Sequence, residues 1–157
     1  MRCKEFYMKD AYSFDLSDED AKKSYNKMFY SYLKTFSRLG LKAIPMAAET
    51  GPIGGDLSHE FVILAETGES QIYADKRILQ IDPSQYKFND VSLQKMRKDF
   101  STIYAVTDEK FKENEFNKQV SKENQMVTKG IEVGHIFYFS DKYSKPMNCL
   151  IDDNDGK

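Results

Sequence analysis

The sequence predicts an α+β fold: an antiparallel sheet with one long helix packed on it, and a small, mostly helical insert. Three observations carry that expectation. Apolar residues recur at three- and four-residue steps from Tyr25 to Leu39, two segments at Ser58–Ala65 and Ile131–Phe139 have strand texture, and a charged, amide-rich stretch lies between them.

Taken in order, Arg2–Tyr12 reads as an extended strand whose alternation sends Arg2, Lys4, Phe6, Met8, Asp10 and Tyr12 to one side. Cation, ring and carboxylate then make a floor suited to a phosphate, a purine and an ammonium group. A half-buried amphipathic strand gives the same alternation. Ser17–Asp20 reads as a capping box, with Asp20 reaching back, and Tyr25, Met28, Phe29, Tyr32, Leu33, Phe36 and Leu39 form the apolar stripe of the helix it opens. Gly40 ends that helix. Leu41–Ala48 begins a strand that Pro45 confines to an edge or irregular position. After the turn-rich Thr50–Asp56, the run Ser58-His59-Glu60-Phe61-Val62-Ile63-Leu64-Ala65 is apolar on both faces beyond Glu60, as a central strand is. Short apolar pieces at Ile72 and Ile78–Ile81 add weaker strand signals.

Residues 82–129 are helical in spacing at Leu93, Met96, Phe100 and Ile103, and less regularly at Phe111, Phe116 and Val120. In Ile131–Phe139, strict alternation puts Ile131, Val133, His135, Phe137 and Phe139 on one face and Glu132 on the other. His135 on an apolar face reads as core packing near a pocket, and Glu132 as a minor candidate. Asp152–Gly156 reads as a hairpin turn, its acids wrongly spaced for a calcium loop.

At 157 residues and 40% hydrophobic content the chain is one domain in size, able to bury a core. A formal net charge of -2 argues against bulk-charge binding of nucleic acid. Cys3 and Cys149 read as free thiols with no metal-ligand spacing. No apolar leader or bilayer-length run occurs, so the cytoplasm is the expected compartment and no membrane partner is expected. The Gly51–Gly55 loop lacks both the P-loop ending and the dinucleotide spacing. Lys87, Lys95, Arg97 and Lys98 read as a solvated face, with contact to RNA as the alternative.

Three blocks in this order, RCKEFYMKDAYSF (2–14), TGPIGGDLSHEFVILAETGE (50–69) and KGIEVGHIFYFSDKYS (129–144), resemble bacterial-type prolyl-tRNA synthetase, a class II aminoacyl-tRNA synthetase. The resemblance implies an internal segment of the catalytic domain: residues 1–71 carrying the second half of motif 2, the long helix and the SHEF strand, 72–128 a shortened insertion, and 129–157 a return to the sheet before motif 3. It implies that Arg2 contacts ATP phosphate and has the catalytic role, that Phe6 stacks on adenine, and that Met8, Asp10, Tyr12, Ser58 and His59 lie toward the proline pocket. Lys4 stands where many relatives have arginine, and Gly54 and Gly55 would permit the close backbone approach that the Ser58–His59 pair requires. The implied reaction is ATP-dependent activation of proline with Mg²⁺ and transfer to tRNA(Pro), in a homodimeric enzyme of translation, the isolated segment being inactive. Phe6, Arg2 and His59 are then expected to converge on one concave sheet surface. The alternatives are a non-catalytic paralogue that binds a small molecule, RNA or a full-length synthetase, and an editing module.

Overall fold

The helix forms where the apolar stripe places it. In the computed structural model, which describes residues 5–50 and 57–150, α1 spans Asp18–Arg38. Ser17 caps it by accepting from the Asp20 N–H at 3.1 Å, but the Asp20 carboxylate accepts from the Ser17 hydroxyl instead of reaching back to the Ser17 backbone. At the other end Gly40 takes φ +73°, and the Gly40 and Leu41 N–H groups donate to the Ser37 and Phe36 carbonyls at 3.1 and 2.9 Å. That is a Schellman closure, which needs the left-handed residue that glycine supplies without strain.

Five strands follow among the described residues: β1 (Ala43–Ala47), β2 (Leu57–Leu64), β3 (Ser70–Asp75), β4 (Ala105–Thr107) and β5 (Gln125–Tyr138). Their order is β1-β2-β5-β3-β4, and β4 returns to β1 through a parallel pairing of Ala47 with Val106. The expected open antiparallel sheet is therefore a small closed barrel. Its closure follows from the length of β5, whose 14 residues pair with β2 over Gly130–Tyr138 and with β3 over Gln125–Gly130. Gly130 belongs to both ladders, and a Cβ there would lie 2.2 Å from Val62 Cγ1, so only glycine lets the strands approach this closely. β2 is central, as expected, between β1 and β5. β4 touches β1 only at Ala47, which leaves Pro45 on a stretch with no partner on its far side.

Three expectations change. The strand expected over Arg2–Tyr12 does not form in its described part, residues 5–12; Arg2 and Lys4 lie outside the described residues, as do Gly51–Asp56 and the turn at Asp152–Gly156. Ile78 sits in a 3₁₀ turn over Lys76–Gln80, not in a strand, capped by the Asp75 carboxylate on the Arg77 N–H. Between the SHEF strand and β5 the chain forms no separate helical body: β3 and β4 are staves of the barrel, α2 (Asp90–Ser101) packs on α1, and α3 (Glu113–Gln119) joins β4 to β5.

The main core lies between α1 and the barrel, where Phe29, Leu33, Phe61, Ile44, Met96 and Phe100 are all buried. Phe29 meets the Phe61 ring edge-on at 5.4 Å, the arrangement favoured by ring quadrupoles.

Candidate active site

Adjacent residues on β2 face opposite ways, and this alternation divides the S-H-E-F block. His59 and Phe61 turn toward α1. The His59 ring is buried, with its Nδ1 2.7 Å from the Tyr25 hydroxyl and its edge against Phe29, centroids 5.1 Å apart. Burial first, then the charges of Arg97, Lys110 and His135, hold its pKa down at about 4, so the ring is neutral at physiological pH and shares a hydrogen bond with the Tyr25 hydroxyl. Burial also raises the pKa of Tyr25, which keeps that hydroxyl protonated.

Ser58 and Glu60 face the other way, toward β5. Ser58 Oγ lies 2.6 Å from His135 Nε2, and Glu60 stands directly across the ladder from His135. The His135 Nδ1 in turn lies 3.9 Å from Glu60 Oε1 and 3.4 Å from Glu132 Oε1. Strict alternation would put Glu132 on the opposite face, and the structure corrects that expectation. Phe61 pairs with Gly134 but Val62 pairs with Glu132, so Val133 is the extra residue of a β-bulge and Glu132 rotates onto the face of His135. Gly134 has its own constraint: a Cβ there would come 2.5 Å from Tyr32 Cε1.

His135 is thus no core packing residue. It is half-buried, stacked on Phe137 at 3.8 Å, with a hydroxyl on one nitrogen and two carboxylates near the other. Burial and the neighbouring Glu132 raise the pKa of Glu60, while His135 opposes the rise. Such a group holds a hydroxyl, a base and acids within one patch able to bind a cation or orient a polar substrate. The sequence signal for it was Gly134, since a glycine inside a strand pattern marks a bulge.

The N-terminal candidates are placed differently. Phe6, Met8 and Tyr12 are 66%, 72% and 76% exposed, and Asp10 is exposed with its carboxylate 3.4 Å from the Tyr12 hydroxyl. Lys9 stands 5.8 Å above the Tyr32 ring and Asp15 accepts from Ser24, which tie this segment to α1. The expected convergence of Phe6 and His59 on one concave surface does not occur, because His59 lies beneath α1 while Phe6 faces solvent. Among the described residues, no helix is long and apolar enough to cross a membrane.

No family model matches the chain. It is similar to the proline–tRNA ligase of Pelagibacter ubique, 63% identical over 157 residues, all of this chain and 35% of that protein. The proline–tRNA ligases of Bartonella bacilliformis and Rhodopseudomonas palustris are 55% and 51% identical, over 100% and 99% of this chain and 36% of each relative. The chain spans about a third of the length of these relatives. By sequence, then, it is homologous from end to end to a segment of the proline–tRNA ligases.

Proposed function

We propose that this segment forms part of the proline-activating site of a class II proline–tRNA ligase, in which ATP and proline give prolyl-adenylate and pyrophosphate, and the prolyl group then passes to tRNA(Pro) in the cytoplasm. The observation that carries this reading is the similarity of 51–63% along the whole chain to enzymes of that name. In this reading Arg2 binds ATP phosphate, Phe6 lies against adenine, and Met8, Asp10 and Tyr12 lead toward proline. Their exposure leaves these described side chains open to substrate. The face of Ser58, Glu60 and His135 is the polar wall of the proline pocket, where a carboxylate suits the cyclic ammonium group. His59 acts as a positioning residue, fixing β2 against α1 so that Ser58 faces its substrate.

No covalent nucleophile is required of the chain; its residues hold the reactants in line and stabilise charge. Mg²⁺ bound with ATP would supply neutralisation of phosphate charge. Glu60 and Glu132 offer the oxygen donors that such a hard ion accepts, whereas the His135 nitrogen does not suit it.

The test is a chimera in which this chain replaces the matching third of the Pelagibacter ubique enzyme. Proline-dependent ATP–pyrophosphate exchange is expected, and Ser58→Ala should lower it at least tenfold. A folded chimera without exchange would overturn the reading.

A further inference from the structure

The bulge at Val133 gathers Glu60, Glu132 and His135 so that one ligand atom from each lies within 4.8 Å of the others. Metal–ligand bonds of about 2.0–2.2 Å at tetrahedral or octahedral angles set ligand atoms roughly 3.0–3.5 Å apart. The Nδ1 to Glu132 distance of 3.4 Å already meets that spacing, and the 3.9 Å to Glu60 needs only a small side-chain rotation. The second nitrogen is also accounted for. With an ion on Nδ1, Nε2 would carry the proton and donate to Ser58 Oγ, which lies 2.6 Å away, the outer hydrogen bond that metal-binding histidines usually have.

A second observation points to a ligand here. Glu60 and Glu132 line a cavity of about 220 Å³ together with Glu69, Asp108, Glu109 and Thr107, and none of the described residues that line it is basic. Thr107 is only 4% exposed, yet its Oγ1 has no hydrogen-bond partner among the described residues. A buried hydroxyl without a partner beside clustered carboxylates is costly unless something polar or cationic fills the space.

We infer that Glu60, Glu132 and His135 form a site for a divalent transition-metal ion of the Zn²⁺ class, held by the protein without nucleotide. One imidazole and two carboxylates form a mixed N/O set suited to such an ion, while Mg²⁺ favours oxygen alone. Bound there, the ion clamps β2 to β5 at the bulge and neutralises the acidic cavity. The site needs only these side chains; two of them, Glu60 and His135, also belong to the wall proposed above for the proline pocket, but binding of the ion by the free chain does not depend on that reading.

The test is Zn²⁺ titration of the 157-residue chain carrying Cys3→Ser and Cys149→Ser, which removes thiol sites, followed by the imidazole ¹⁵N spectrum. The sequence has only 2 histidines, so both rings can be assigned. One equivalent of Zn²⁺ is expected to shift His135 Nδ1 while Nε2 keeps its proton and His59 stays unchanged. The half-exposed Glu132, replaced in Glu132→Gln, should weaken binding at least tenfold, and Glu69→Gln less than twofold. His135 signals unmoved at saturating Zn²⁺, an unchanged affinity in folded Glu132→Gln, or preference for Mg²⁺ with His135 untouched would each overturn the inference.

Discussion

Acidification from about pH 8 to about pH 4 probes the burial of His59 directly. In the native chain its pKa is about 4, against an ordinary 6.5. The native value is the lower one, so the unfolded chain takes up a proton first as pH falls. Stability from this group is fully present above the unfolded pKa and is lost progressively as pH falls through the window from 6.5 to about 4. At 1.36 kcal/mol per pKa unit the full loss is about 3 kcal/mol. That is a large share of the roughly 5–15 kcal/mol that holds a domain together. Urea unfolding of the wild type and of His59→Gln at both ends of the range isolates the effect, because carboxylates that titrate in the same window cancel in the difference. The variant starts less stable but should lose about 3 kcal/mol less on acidification. In the wild type the His59 ring-proton resonance should stay put down to about pH 5. Equal losses for the two proteins, or a His59 resonance that titrates near its ordinary pKa, would refute the packing of this ring under α1.

Other consequences are equally direct. Gly134→Ala drives a Cβ to within 2.5 Å of Tyr32 Cε1, where Tyr32 is already stacked on Phe61; a loss of about 1–3 kcal/mol in chemical denaturation is expected, with changed Tyr32 ring contacts in NMR. Phe29→Ala leaves a hole against His59, Phe61 and Phe100 and should cost about 3–5 kcal/mol, read by thermal unfolding. Ser17→Ala removes the acceptor of the Asp20 N–H and should cost about 1 kcal/mol, which circular dichroism melts can follow. Gly40→Ala meets no neighbour but must hold φ +73°, so it should destabilise by about 1 kcal/mol with native structure intact.

The parts of the fold legible in the sequence are those set by local rules. The α1 stripe, its serine cap and its glycine stop all rest on contacts within a few residues, and they appear where the spacing puts them. Barrel closure was hidden because it depends on one strand pairing with two others along different halves, and nothing local in Gln125–Gly130 announces a second ladder. The short strand at β4 was hidden for the same reason: three residues carry too little periodicity to read. An opening strand at Arg2–Tyr12 was expected from alternation alone, but alternation records which side chains could share a face and not whether a strand pairs there.

At the candidate site, strand geometry decides which side chains can act together. Ser58 and His59 were read together as contacts to one substrate, although neighbours on a strand point to opposite faces. The structure sends Ser58 and Glu60 to the polar side and His59 and Phe61 into the core, so the S-H-E-F block does two jobs in alternate positions. The same geometry separated Glu132 from His135 by an odd number of residues and hence, by simple counting, onto opposite faces. One additional residue at Val133 reverses the count. Glu132 therefore reaches His135 through the bulge and not through the sequence pattern, and a change that abolishes the bulge while keeping Val133 in the strand should return Glu132 to the far face, whereas deleting Val133 outright should leave it beside His135. Substitutions at position 59 should then act through stability and its pH dependence, whereas those at 58, 60, 132 and 135 should act on the polar face while leaving the packing beneath α1 in place.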